Sequence, residues 1–184
     1  MTTFLSNRSI YETVICGIVP QTRERLWIAT ADIKDMYVPP THSMCATEAG
    51  RGGRDMVPFL AVLDGLLKRG VGIRLIHAKE PGPNWREDFD RYPGLWGGME
   101  RMLCPRVHFK CVIVDGVKAY FGSANLTGAG MGAKSERKRN FENGILTDDP
   151  ALVEPLVEQF DLVWRGEYCH DCGRREHCGD CPIE

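Results

Sequence analysis

Residues 107–127 run VHFKCVIVDGVKAYFGSANLT, two apolar stretches on either side of Asp115-Gly116. Asp-Gly between such runs is the strongest short-range signal for a β-hairpin. A two-residue turn sets Val114 opposite Val117 and His108 opposite Ser123. Side chains alternate along a strand, so His108 and Lys110 share one face. Ser123 and Asn125 are then expected on that same face of the partner strand. One hairpin gathers an imidazole, an ammonium, a hydroxyl and a carboxamide.

Working outward, residues 26–33 and 71–78 read as apolar strands. Between them residues 59–69 carry Phe59, Leu60, Leu63, Leu66 and Leu67 at helical spacing and stop at Gly70. Strand, helix and strand at these lengths form a βαβ unit and predict a sheet covered by helices. Residues 11–25 are expected to be helical, with an interruption at Pro20. Residues 34–58 read as loop. Residues 79–105 read as a less regular insert that holds Trp85, Phe89, Tyr92 and Trp96. Strands are expected at 106–114, 117–122 and 141–147, and an amphipathic helix at 152–164.

The polar set on the hairpin suits a phosphodiester. Its anionic oxygens repel nucleophiles, so a site must place positive charge and hydrogen-bond donors where charge builds. Lys110 supplies the charge, and Ser123 and Asn125 supply neutral donors. A neutral imidazole at His108 can attack phosphorus and split one displacement into two. A carboxylate on its other ring nitrogen would fix the tautomer, and Glu142, at the polar start of the next strand, is the candidate. Asp115 sits at the turn with the opposite parity. It is expected to brace the hairpin or Lys110 rather than to touch phosphate.

At these residues the chain resembles the phospholipase D superfamily, whose signature is H-x-K-x4-D followed by G-S-x-N. It is matched here by His108, Lys110 and Asp115, then Gly122-Ser123-Ala124-Asn125. The resemblance runs from about residue 10 to 165. It implies an α/β class fold, an α/β/α sandwich around a mixed sheet. It also implies a metal-independent phosphodiesterase mechanism through a phosphohistidine on His108. Most members carry two motifs in one chain and this chain carries one. The small single-motif nucleases of the superfamily complete the site as two-fold homodimers, and a two-fold axis does bring one patch of each subunit together.

Substrate follows less directly, because function lives in the site and not in the fold. Lys134, Arg137, Lys138 and Arg139 form a basic run just after the hairpin that suits several phosphates, as in a nucleic acid. The four insert aromatics could stack bases, form core, or make an apolar rim for lipid. A nuclease is the leading expectation. A phospholipase D-like hydrolase of phospholipid diesters is the alternative, and a non-catalytic, zinc-dependent nucleic-acid-binding protein is a third possibility.

The 184 residues carry a net charge of -2, 43% apolar and 26% charged side chains, the profile of a globular chain. No run approaches the length of a membrane span, the N-terminus lacks the pattern of a signal peptide, and a cytoplasmic location is expected. There disulfides rarely persist. Cys16, Cys45, Cys104 and Cys111 are scattered and expected to be mostly buried thiols. Cys169, Cys172, Cys178 and Cys181 form two C-x2-C pairs, spaced for a closed structural Zn2+ site. An iron–sulfur cluster is the main rival, and His170 or His177 could replace one thiolate. The expected domains are residues 1–166, the phosphodiesterase body, and residues 167–184, the metal-binding tail.

Overall fold

The computed structural model of the chain describes residues 1–34, 36–40 and 56–183. Strand β1 (Thr2–Ser6) leads into helix α1, which starts as Arg8–Ile10, continues in the wider π form over Tyr11–Ile18 and tightens to a 3-10 turn at Val19–Gln21. Pro20 sits in that last turn and, with no N–H to continue the ladder, the helix stops one residue later, the interruption expected at this proline. Next come β2 (Arg25–Thr30), the short pair β3 (Tyr37–Val38) and β4 (Val57–Pro58), α2 (Phe59–Lys68) and β5 (Gly72–His77). After these follow α3 (Pro83–Asp90), α4 (Pro93–Gly98), β6 (Met99–Leu103), β7 (Lys110–Val114), β8 (Lys118–Gly122), β9 (Asn143–Thr147) and α5 (Pro150–Trp164).

Seven strands make one mixed sheet in the order β1-β9-β8-β7-β2-β5-β6. The parallel half is β2, β5 and β6, and β7, β8, β9 and β1 continue it antiparallel. Strand alternation sorts the core into two layers. Leu26, Ile28, Ile73, Leu75, Val112 and Val114 face α1, α2, α3 and α4. Trp27, Ala29, Ile76, Cys111 and Ile113 face α5. The expected α/β architecture with helices on both faces is the observed one.

Local signals account for the helix ends. At the end of α2 Gly70 takes φ 84°, and the Val71 N–H donates back to the Leu66 carbonyl at 3.1 Å, the glycine-terminated stop expected there. The Asp149 side chain caps α5 by accepting from the Ala151 N–H at 3.0 Å, with Pro150 at the first helical position. On the inner face of α5, fully buried Phe160 stacks on Trp27 at 5.0 Å between ring centroids. Such a pair contributes about 0.5–1.5 kcal/mol beyond its buried area.

Three expectations change. β1 and β6 were not expected as strands, and the insert is ordered into α3, α4 and β6. Its aromatics Trp85, Phe89 and Tyr92 are buried, and Trp85 and Phe89 stack on each other at 4.8 Å. Those three are core and not a base-stacking surface; Trp96 alone is exposed. Of the scattered cysteines Cys111 is buried, Cys16 and Cys104 are partly exposed, and Cys45 lies outside the described residues.

Candidate active site

The hairpin pairs one residue out of the expected register. Val114 lies opposite Lys118 and Lys110 opposite Gly122. Asp115 and Gly116 both take positive φ, 54° and 71°, as the tight turn demands. Val117 is the extra residue: its N–H closes the turn onto the Val114 carbonyl, and pairing resumes only at Lys118. The parity argument that put Ser123 opposite His108 therefore fails. The polar groups still meet, because His108, Ser123 and Asn125 lie beyond the paired ends of β7 and β8, where pleat alternation no longer dictates direction.

The ends of β1, β2, β5 and β8 and the beginnings of β7 and β9 share one edge of the sheet. In such sheets ligands gather outside the carboxyl ends of the parallel strands. His108 is exposed there, and the Lys110 side chain is buried beside it. The Lys110 ammonium donates to the His108 carbonyl and lies 3.2 Å from Nδ1 and 3.4 Å from Nε2 of the ring. Burial pushes the lysine's pKa down, and the nearby Glu142 charge partly restores it.

Glu142 meets different partners from the one expected. Its Oε2 accepts from the Ser123 hydroxyl and its Oε1 from Asn140 Nδ2 at 3.0 Å, in place of a bond to His108. Ser123 also accepts from the Asn143 N–H at 3.1 Å, so the serine fastens the end of β8 to the start of β9. Asn7, absent from the sequence reading, fixes Glu142 from the other side. The Glu142 N–H donates to Asn7 Oδ1, and the Asn7 N–H to the Glu142 carbonyl. Asn7 holds φ 49° with ψ −117°, a positive-φ conformation that is uncommon outside glycine. An isolated asparagine between an unrecognised strand and a helix gives no local signal of this contact.

Asn125 is more a brace than a phosphate donor. Its Oδ1 accepts from the N–H groups of Ala31 and Asp32, both at 3.1 Å, and so shapes the chain leaving β2. Only the Nδ2 side of its carboxamide is left to face a ligand.

Asp115 stands at the opposite end of β7, roughly 20 Å from His108 at the usual rise per residue. It accepts from the N–H groups of Glu24 at 2.8 Å, Arg25 at 3.1 Å and Arg23 at 3.2 Å, bracing the hairpin onto the start of β2. Burial raises its pKa, but those three donors and the Arg23 charge outweigh it and hold the carboxyl below its ordinary value.

The basic run is anchored by its backbone. The Lys134 N–H donates to the Gly128 carbonyl, Lys138 and Arg139 to the Ser135 carbonyl, and Asn140 to the Ala129 carbonyl. Lys134, Arg137 and Lys138 are exposed and Arg139 partly so, on the loop that delivers Asn140 and Glu142 to the site. The tail cysteines lie together against residues 103–109, and among the described residues no three potential ligands converge as a metal site.

The site is one edge of the mixed sheet, with an exposed imidazole beside a buried lysine. The cardiolipin synthase, PLD-like domain family matches residues 21–164, and the chain belongs to that family. Among solved structures, NucT from Helicobacter pylori aligns with TM-score 0.62 and 15% identity over 90% of this chain and 96% of that one. Nuc from Salmonella typhimurium, a phospholipase D family member, aligns with TM-score 0.60 and 16% identity over 90% and 95%. Phosphatidylserine synthase from Haemophilus influenzae gives TM-score 0.56 and 16% identity, covering 89% of this chain and 38% of that one. At these identities the likeness establishes the fold. No curated protein matches the sequence. Among the described residues no helix is long and apolar enough to cross a membrane.

Proposed function

We propose that the protein is a metal-independent phosphodiesterase that cleaves nucleic acid through a phosphohistidine on His108. The observation that carries this reading is the Lys110 ammonium, buried and directed at the His108 ring and carbonyl. A buried cation is costly unless something anionic compensates it, and a phosphodiester docked over His108 would do so.

In the first step the imidazole attacks phosphorus, a P–N bond forms and the bond to the leaving oxygen breaks. Lys110 offsets charge on the non-bridging oxygens. The leaving oxygen must take a proton, and the partner subunit's His108 is the group proposed to give it, across a two-fold homodimer. Water, giving up a proton to that second imidazole, then displaces His108 from phosphorus. Ser123 and Glu142 hold the rim, and Asp115 and Asn125 hold the strands on which the reacting groups sit.

Nucleic acid is favoured over lipid by the loop of Lys134, Arg137, Lys138 and Arg139, which puts exposed positive charge beside the site for several successive phosphates. The test is cleavage of labelled single- and double-stranded DNA and RNA, alongside headgroup release from anionic and zwitterionic vesicles. Nucleic-acid cleavage that persists in excess chelator is expected. Headgroup release alone would move the substrate to phospholipids, and saturable nucleic-acid binding without turnover would leave a binding protein.

A further inference from the structure

One ring at the sheet edge is left out of the core. Phe141 sits between Asn140 and Glu142 and is 98% exposed, more than any other large apolar residue among the described ones. The aromatics of the insert offer no such surface at the site, because Trp85, Phe89 and Tyr92 are buried. A single exposed apolar side chain is ordinary by itself. The position of this one is what gives it meaning.

The backbone that carries the ring is fixed on both sides. The Asn140 N–H donates to the Ala129 carbonyl at 3.1 Å and the Glu142 N–H to Asn7 Oδ1 at 3.1 Å, while the Glu142 carbonyl accepts from the Asn7 N–H at 2.9 Å. Asn140 Nδ2 reaches past Phe141 to Glu142 Oε1 at 3.0 Å, so the flanking side chains engage each other and leave the ring to solvent. Glu142 in turn accepts from Ser123, at the end of β8. The Phe141 Cα lies about 3.8 Å from that of Glu142, one residue from the rim of the site. In the other direction the chain runs straight into Arg139, Lys138, Arg137 and Lys134, with Glu136 the one acidic residue among them.

We propose that Phe141 is a base-stacking platform that seats the nucleoside next to the scissile phosphate. Positive charge along the backbone, combined with aromatic rings under the bases, is the chemistry by which proteins hold single strands. Here the two adjoin: the basic loop takes phosphates and the ring takes the neighbouring base. Fixing the backbone beforehand lowers the ordering cost of binding. A base inside a duplex is already stacked on both faces, so the ring discriminates in favour of single-stranded nucleic acid. This inference rests on the nucleic-acid reading above and narrows it, from a polyanion to a strand with free base faces.

The test compares the full chain with its Phe141→Ala, Phe141→Leu and Phe141→Trp variants on a labelled single strand, the matching duplex, and a single strand of equal length that is abasic throughout. Wild type should cleave the ordinary single strand faster than either of the others. On that strand Phe141→Ala should lose about 5–150-fold in kcat/KM. Phe141→Leu, apolar but without a ring, should lose nearly as much, and Phe141→Trp should keep the wild-type rate or exceed it. The loss should vanish on the abasic strand. Circular dichroism and gel filtration establish that each variant keeps the fold and the subunit number. Equal cleavage by wild type and Phe141→Ala, or an equal loss on the abasic strand, would overturn the role of the ring and leave the nuclease reading standing. A Phe141→Ala variant that separates into subunits would make the ring a contact between copies and overturn the proposal in the same way. A wild type that cleaves none of the strands would sink both readings, and loss of binding to phosphatidylcholine–phosphatidylglycerol vesicles in Phe141→Ala would then mark the ring as a lipid anchor.

Discussion

The ammonium of Lys110 lies 3.2 Å from Nδ1 of His108; the lysine residue as a whole is buried, while His108 is exposed. The relationship places fixed positive charge behind an accessible nucleophile, and it makes the two residues separable by mutation. Lys110→Met should lower cleavage by about 10²–10³-fold, the usual loss when one preorganised charge-stabilising group is removed. The unfolding free energy should hold or rise, because replacing a buried charge by an apolar chain of similar size is often neutral or stabilising. Steady-state rates and urea unfolding on the same preparation separate the two effects.

Asn125 should behave in the reverse way. Asn125→Ala leaves the Ala31 and Asp32 N–H groups without their acceptor, at a cost of about 1–3 kcal/mol in stability. Asn125→Asp keeps an acceptor at that position and should recover most of this loss. Urea midpoints for the pair check the brace independently of any activity.

Asp115 gives a pH signature. Its folded pKa is held below the ordinary carboxylate value, so its contribution is complete above that value. It is lost as the pH falls through the depressed folded value. Asp115→Asn should therefore be less stable than wild type at neutral pH, with the gap closing below about pH 4. Thermal unfolding across that range is the measurement, and turnover by the still-folded variant should change little at neutral pH.

Gly144 should tolerate no side chain. A Cβ there would lie 2.5 Å from Tyr120 Cε2 and 2.7 Å from the Phe121 carbonyl, at the end of the β8–β9 pairing where Gly144 faces Gly122, next to Ser123 and Glu142. Tyr120 is fully buried and cannot move aside. Gly144→Ala is expected to cost about 1–3 kcal/mol as an overpacked core position and to reduce activity with it, read by urea unfolding and cleavage rate together.

Much of this architecture is legible in the sequence where local pattern and tertiary context agree. The Leu-rich periodicity of α2, its stop at Gly70 and the apolar runs of β2 and β5 each reflect a single physical cause. The hairpin was legible in place but not in register, since Asp-Gly specifies a turn and cannot reveal that Val117 is extruded after it. β1 and β6 are edge strands of five residues with one half-solvated face, and their pattern is too short to separate from loop. The insert aromatics misled because rings among Gly and Pro suggest an exposed surface, whereas Pro83 and Pro93 start two helices that turn Trp85 and Phe89 inward. The motif located His108 and Lys110; the contacts of Glu142 with Ser123, Asn140 and Asn7 depend on chain ends brought together by folding, which no sequence spacing encodes.

The most direct test of the phosphohistidine on His108 is rapid quenching of a single turnover on substrate labelled at the scissile phosphate, followed by peptide mapping in alkali, where phosphohistidine survives. Label is expected on the peptide that contains His108, formed in chelator and lost in acid. His108→Ala should show neither the label nor cleavage. Undiminished cleavage by a folded His108→Ala variant would contradict it.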